Sequence, residues 1–353
     1  MKSSVWNKLV RNKIALSSMA LITVAILVAI FAYFIAPDAS PNGNRMIPEI
    51  ANKQPGYKVT FLLLKHNGQT NTTSFFHQLL YGKEDVYTYV PITNYAQDKD
   101  SVIAERFIDE GITTKVVYHM QQLPTPFIKH QKFYLGTDRF GRDILSRIII
   151  GTRVSLGVGL IAVIISLTIG ILLGAIAGYF KGFADDIITW FINVIWSIPT
   201  LLLVFAITLV LGKGFWQVFI AVGFTLWVSV ARLVRGQVLA VSKLEYVEAA
   251  KALGYGRLRI IIKHILPNIM GPVIVVAAGN FASAIVIEAG LSFLGIGVQP
   301  PQPSWGLMIK ENYNFIITHN PAIALIPGIA IMLLVLAFNL LGNALRDAMD
   351  SKM

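Results

Sequence analysis

The stretch Ser242-Lys-Leu-Glu245-Tyr-Val-Glu248-Ala249-Ala250-Lys-Ala-Leu-Gly254-Tyr-Gly-Arg-Leu-Arg-Ile-Ile-Ile-Lys-His264-Ile-Leu266-Pro267 lies between two apolar runs, Gly214–Ala231 and Ile269–Ile287. Neither run contains Asp, Glu, Lys, Arg or His. The pattern of the stretch predicts a helix–turn–helix knob. Ser242-x-x-Glu245 has the spacing of a capping box, in which the hydroxyl accepts the N3 amide and the carboxylate reaches back to the N-cap amide, with Val241 against Tyr246 as a staple. A helix starting at Lys243 would run to Gly254, the residue type best suited to the left-handed turn that closes a helix. A second short helix, Arg257 to Leu266, puts Lys263 and His264 in its last turn, where cations suit the dipole, and stops at Pro267.

Working outward, four more runs share the charge-free composition: Ile14–Ile35, Val154–Phe180, Ile187–Gly212 and Pro321–Gly342. A bilayer core needs roughly 20 apolar residues in a helix, so the six runs predict an all-α polytopic membrane protein with six transmembrane helices. The first run follows Lys2, Lys8, Arg11 and Lys13, as in a signal peptide. It is longer than the ~7–15 residues of a signal h-region and ends in Ala36-Pro37 rather than a cleavage site, which reads as an uncleaved span. Pro199 and Pro272 remove backbone donors within the third and fifth runs and predict kinks. With the N-terminus inside, inner segments carry fourteen Lys and Arg and the short outer loops two, Lys213 and Lys310. Arg139, Arg142, Arg147 and Arg153 dissent at the outer entry to the second span, but they belong to a long outer segment, which the positive-inside rule largely exempts. Both termini are therefore expected in the cytoplasm.

Composition agrees. Of 353 residues, 55% are apolar and 14% charged, and the mean hydropathy is +0.62; soluble domains carry about 25% charged residues. The formal net charge of +11 would suggest nucleic acid in a soluble protein, but here the charge sits between apolar runs, so no nucleic-acid partner is expected. With no cysteine, a disulfide framework, thiol nucleophile or Cys-ligated metal is excluded. Six scattered His residues form no HxxxH or HExxH pair, so no metal site is expected.

The chain divides into residues 1–36 (cytoplasmic N-terminus and first span), an outer insertion 37–133, a segment 134–153, a core 154–342 holding the other five spans and the loop 242–267, and a tail 343–353. The insertion contains Tyr57-Lys-Val-Thr-Phe-Leu-Leu-Leu and Val86-Tyr-Thr-Tyr-Val, bounded by Gly, Pro and Asn, and reads as a small extracytoplasmic α+β domain. In the segment after it, Ile144, Leu145, Ile148 and Ile149 at helical spacing predict an amphipathic interfacial helix. Trp305 reads as an interfacial anchor. Asp138, Arg142 and Asp143 form either an outer-face cluster that orders a gate or receives a partner, or caps with local ion pairs. Glu288, just past the fifth run, either faces a translocation path or is hydrated at the rim.

Glu248-Ala249-Ala250, three residues, Gly254, then Leu266-Pro267 resembles the EAA loop of permease subunits of ABC importers, and His264 within it looks like the peptide and nickel branch. Leu135-Gly-Thr-Asp138, Gly141-Arg142-Asp143, Gly151-Thr-Arg-Val-Ser-Leu156, Ser292-Phe-Leu-Gly-Ile-Gly-Val-Gln-Pro-Pro301, Ser304-Trp305-Gly306 and Asn339-Leu-Leu-Gly-Asn-Ala-Leu-Arg-Asp347 are similar to the C-type subunit of dipeptide and oligopeptide permeases. Asn343, Ser351 and the long insertion depart from that pattern. The resemblance implies a type I importer permease fold, in which Glu248, Ala249, Ala250, Gly254, Leu266 and Pro267 form the element coupling to an ATPase. It implies a second homologous permease subunit, two ABC ATP-binding subunits, an extracytoplasmic peptide-binding protein and a bacterial inner membrane as surroundings. No GxxxxGK[ST] occurs, so ATP and Mg would be used by the partners and this chain would bind no cofactor and catalyse no reaction. Glu248 would make an interface ion pair, unless it pairs within its own helix with Lys251, worth only ~0.2–0.5 kcal/mol. A nickel or chelate cargo is the alternative substrate. An ion-coupled transporter would need charged groups within its spans, which the six runs lack.

Overall fold

The computed structural model describes residues 2–65, 74–316 and 321–349. The helices in chain order are α1 (Lys2–Arg11), α2 (Lys13–Ile30), α3 (Ala32–Ile35), α4 (Phe75–Tyr81), α5 (Ile144–Phe180), α6 (Gly182–Trp196), α7 (Thr200–Leu211), α8 (Phe215–Val241), α9 (Glu245–Ala252), α10 (Arg257–Ile260), α11 (Leu266–Leu294), α12 (Trp305–Asn312) and α13 (Ala322–Met349). The strands β1 (Tyr57–Lys65), β2 (Tyr87–Gln97), β3 (Ser101–Asp109), β4 (Ile112–His119) and β5 (Ile128–Phe133) lie between α3 and α5. Two compact units result: Met1–Ile26 with Ser155–Gln299 and Ala330–Met353, and Leu27–Val154 with Pro300–Ile329.

In the helical unit the described residues supply helices long and apolar enough to cross a bilayer at α2, α5, α8, the continuous segment Arg257–Leu294, and α13. The third expected span, Ile187–Gly212, is not one helix. It is the pair α6 and α7, bent by 94°, because Pro199 has extended backbone (φ −54°, ψ 126°) and no N–H to continue a helix. The observed helices also outrun the apolar runs, since backbone bonding continues wherever neighbouring helices bury the chain. α8 extends to Val241, taking Arg232 and Arg235 into the helix.

Close backbone contact holds α5 against α8. Gly170, Gly174 and Gly178 lie one turn apart, and a Cβ on each would stand 2.5 Å from Val230 Cβ, 2.5 Å from the Ala231 carbonyl and 2.7 Å from the Arg235 carbonyl, respectively. Apolar side chains gain little from meeting each other in lipid, so small residues that let helices approach supply the attraction. The other core of the unit gathers Val158, Ala162, Phe219, Val222 and Leu291.

The second unit is built on a five-stranded antiparallel sheet ordered β4-β3-β2-β1-β5. β1 is paired on both sides, Thr60↔Ile92 to Lys65↔Tyr87 with β2 and Tyr57↔Phe133 to Leu62↔Ile128 with β5. Alternation sends Phe61 and Leu63 to one face, where Ile47, Ile50 and Phe133 cover them, and Leu62, Val90 and Ile92 to the other, with Val102, Ala104 and Leu123. The strands read from the sequence coincide with β1 and the start of β2.

Two expectations fail here. The turn at Ile144 is no interfacial amphipathic helix: Ile144, Ser146 and Arg147 are all buried, and the turn opens α5, a helix of 37 residues. Trp305 is no lipid-facing anchor either. Ser304 caps α12, its Oγ accepting from the Leu307 amide at 3.1 Å, and this turns Trp305 inward so that its indole N–H donates to the Ile148 carbonyl at 3.1 Å.

Gly174→Val should lower the thermal stability of the detergent-solubilised chain by the ~1–3 kcal/mol of an overpacked contact. Gly157→Ala, where a Cβ meets nothing within 4 Å, should leave it unchanged or raised, as measured by fluorescence melting.

Candidate functional site

The knob at 242–267 forms, with boundaries set differently from the capping-box reading. Because α8 runs on to Val241, Ser242 becomes its C-cap with helical backbone, its amide donating to Val238 O at 2.9 Å, and its buried hydroxyl has no hydrogen-bond partner among the described residues. α9 starts at Glu245 behind an extended Leu244, whose carbonyl receives the amides of Val247 and Glu248. Tyr246 does not staple to Val241; its hydroxyl accepts from Asn268 Nδ2 at 3.0 Å and meets the His264 carbonyl at 3.4 Å.

The far end follows the expectation. Gly254 is left-handed at φ +76°, its amide donates to Lys251 O at 2.9 Å and the Tyr255 amide to Ala250 O at 3.2 Å, the pair of bonds of a Schellman close. A Cβ at Gly254 would meet nothing within 4 Å, so only its backbone conformation demands glycine. The second arm does not stop at Pro267. α10 passes through a π turn, Ile261–Ile265, into α11, where Pro267 sits in the first turn. The π turn immediately before it is where the bonding pattern changes, and the helix continues through the proline. The arm is therefore the start of the fifth span itself.

Burial separates the residues that resemble the family motif. Val247 and Ala250 pack among Val234 and Val238 of α8 and Ile260, Ile265 and Ile269 of the following arm, with Leu266 against the same cluster. Ala250 and Leu266 thus face the interior, where Ala250 is packed from within. Glu248, Ala249, Gly254 and Pro267 are exposed. Around them Leu253 is 72% and Leu258 70% exposed. No ion pair joins Glu248 to Lys251 among the described residues; Lys251 Nζ instead approaches the Ser242 carbonyl at 3.4 Å. A clamp not foreseen from the sequence ties the arms together: Tyr255 stacks on His264 at 5.7 Å, and Arg259 lies 4.3 Å over Tyr255.

The second candidate cluster is interior. Asp138, Arg142 and Asp143 are 2%, 1% and 3% exposed, so they present no docking face. Asp138 accepts from the amides of Phe140 and Arg142 and from Arg142 Nε at 2.6 Å. Arg142 donates onward to Glu311 at 2.8 Å and Asn44 at 3.2 Å, and the buried Arg147 reaches Glu311 at 3.3 Å. Asp143 caps α5, taking the amide and hydroxyl of Ser146, while that hydroxyl accepts the Asp38 amide at 2.8 Å. Burial raises the Asp143 carboxyl above its ordinary range, and the bonds from Ser146 pull the other way. Gly141 makes the knot possible: at φ +74° its α-carbon stands where any Cβ would lie 1.8 Å from the Ile47 carbonyl. The capping-and-ion-pair reading holds, extended by the neighbouring Arg147 and by Glu311 and Asp38, which are distant in sequence.

Glu288 belongs to the other unit. It is fully buried within α11, not hydrated at a rim, because the helix continues seven residues beyond the apolar run to Leu294. Ser292 donates to it at 2.7 Å and accepts the Val298 amide at 3.0 Å.

A multi-pass helical bundle carrying an exposed helix–turn–helix knob is the arrangement of a transporter's membrane subunit. The family described as binding-protein-dependent transport system inner membrane component matches residues 170–353, and the N-terminal TM domain of oligopeptide transport permease C matches residues 3–55. The chain belongs to the former family. A glutathione transport system permease protein of Pectobacterium atrosepticum is 42% identical over 62% of this chain and 73% of its own length. A dipeptide transport system permease protein of Alkalihalophilus pseudofirmus is 43% identical over 66% and 75%. A solved methionine ABC transporter aligns with 57% of this chain and 95% of its own at 16% identity and a TM-score of 0.48.

Ser242→Ala should leave thermal stability within ~0.5 kcal/mol or raise it, where loss of a true N-cap costs ~1 kcal/mol. Arg142→Ala should cost the ~3–5 kcal/mol of an uncompensated buried charge. Arg139→Ala, half-exposed and 4.0 Å from Glu311, should fall in the ~0–1 kcal/mol range of surface pairs. Melting of the three variants in detergent checks all of these.

Proposed function

We propose that this chain is the permease subunit of an ATP-driven importer of short peptides. The observation that supports the coupling role is the exposed face of α9 and α10, where Glu248, Ala249, Leu253 and Leu258 stand free while Val247 and Ala250 anchor the same turn to α8 and α11. A partner seated on that face moves two spans. The related permeases named for glutathione and a dipeptide support a peptide cargo.

In this reading two ABC ATP-binding subunits, one gripping this knob and one gripping that of a second homologous permease, close around ATP and draw the knobs together, switching the spans from inward- to outward-facing. An extracytoplasmic binding protein delivers the peptide. The chain lies in the inner membrane with both termini in the cytoplasm, and it performs no catalysis itself. Mg and ATP are handled by the partners. Glu248 supplies an interface ion pair, and Gly254 fixes the angle between the two arms.

Glu248→Lys and Gly254→Val should both reach the membrane at normal level yet abolish peptide uptake and return substrate-stimulated ATP hydrolysis of the reconstituted transporter to its basal rate. The strain at Gly254→Val is ~1–2 kcal/mol, the cost of a Cβ in a left-handed position. Normal stimulated hydrolysis in either variant would refute the coupling assignment.

A further inference from the structure

We propose that the sheet unit contains a cleft for the carboxylate end of a short extended peptide, formed by Lys58, Lys132 and His130 where β1 outruns its pairing with β2; the proposal rests on peptides being the cargo. β1 pairs with β2 from Thr60 onward, whereas Tyr57, Lys58 and Val59 pair with β5 alone. On the other side β2 is displaced by an irregularity between Ile92 and Asn94 and continues against β3. A cleft of about 660 Å³ opens at this divergence, within the ~300–1,000 Å³ of small-molecule sites. Tyr57 and Val59 from one face of β1 and Lys58 and Thr60 from the other all line it, so the cleft runs between strands and not over a face. Unpaired strand backbone beside a slot is the feature by which sheets accept an extended peptide as an added strand.

The charges select which end of the peptide enters. Lys58 and Lys132 are direct cross-strand partners, and like charges in that position repel. Both are exposed, and neither has an ion pair among the described residues; Lys132 Nζ lies 5.1 Å over Tyr134, and the nearby Lys53 is already held by Glu110 at 2.8 Å. His130, on the same face, is held by Thr60, Oγ1 to Nδ1 3.0 Å. A carboxylate between the two ammonium groups turns a local conflict into two charge-assisted hydrogen bonds. Tyr57 and Phe107 line the cleft from the other face of β1, with Lys53 Nζ 5.7 and 5.5 Å over their rings. The family matches stop at residue 55 and resume at 170, so nothing in them accounts for this cleft.

The test uses the full chain in lipid nanodiscs and trialanine labelled with a fluorophore at its amino end, compared with the same peptide as its carboxyl-terminal amide. The acid should bind, the amide and the Lys58→Glu variant should each weaken binding by about tenfold or more, the worth of a charge-assisted bond, and Lys58→Glu should melt no lower because it pairs with Lys132. Lys58→Gln and Lys132→Gln, which keep size and remove one charge each, should weaken binding in the same direction. Equal binding of acid and amide, binding indifferent to these variants, or full displacement by inorganic phosphate would overturn the cleft. Uptake of trialanine by the complete transporter is measured in parallel: uptake without binding overturns the cleft and leaves the peptide reading standing, and neither uptake nor binding overturns both.

Discussion

The burial of Val247 and Ala250 among Val234, Val238, Ile260, Ile265 and Ile269 is the contact on which the form of the knob depends. A helix of eight residues is too short to hold itself in water, and α9 exists because α8 and the arm leading into α11 receive its apolar side. The same contact makes the knob stiff. Force applied to the exposed side reaches two membrane-spanning helices without an intervening loop, since the second arm is continuous with its span. The π turn at Ile261–Ile265 sits in that line of force, and such turns recur at functional positions in helices.

The sheet unit uses charge where the helical unit uses close packing. Burying Arg142, Arg147, Asp138 and Glu311 carries a desolvation cost that their mutual attraction repays only if each remaining lone pair and proton finds a partner. Asp138 does so with two backbone amides beside the guanidinium, and Arg142 divides its donors among Asp138, Asn44 and Glu311, whereas Arg147 Nη1 makes no hydrogen bond among the described residues and stands 3.7 Å from Asp138. The arrangement ties the chain near residue 44 and α12 to the start of α5, three segments far apart in sequence. An apolar cluster could hold them as firmly but would tolerate many registers; the directional bonds here accept one.

The spans and the left-handed Gly254 were legible because each is written in local composition: charge-free runs, and a glycine after a helical stretch. The errors share a cause, which is that helix ends are decided by what packs on them. Ser242 carries a capping signature, but the preceding helix continued and consumed it. Pro267 is a stop signal in isolation, yet the helix passes through it behind the π turn at Ile261–Ile265. Ala250 and Ala249 are indistinguishable as letters, and only the partner surface on α8 makes one interior and the other exposed. The links of Arg142 to Glu311 and of Tyr255 to His264 had no local signal at all, because they join residues brought together by the fold.

The same geometry bears on the distribution of charge. Arg139, Arg142, Arg147 and Arg153 crowd the entry to α5 and, counted as free cations, oppose an orientation with the N-terminus inside. They are not free. Arg142 and Arg147 are buried against Asp138 and Glu311, Arg139 lies 4.0 Å from Glu311, and Arg153 donates to the Leu79 carbonyl at 2.9 Å. Arg142 and Arg147 are held inside the folded unit, whereas Arg139 is half-exposed and Arg153 meets a carbonyl; what exempts all four from the orientation count is that they belong to a long outer segment. The exposed cations around the knob, Lys243, Arg257, Arg259 and Lys263 among them, lie instead in a short connection between two spans, where each one counts in the orientation rule.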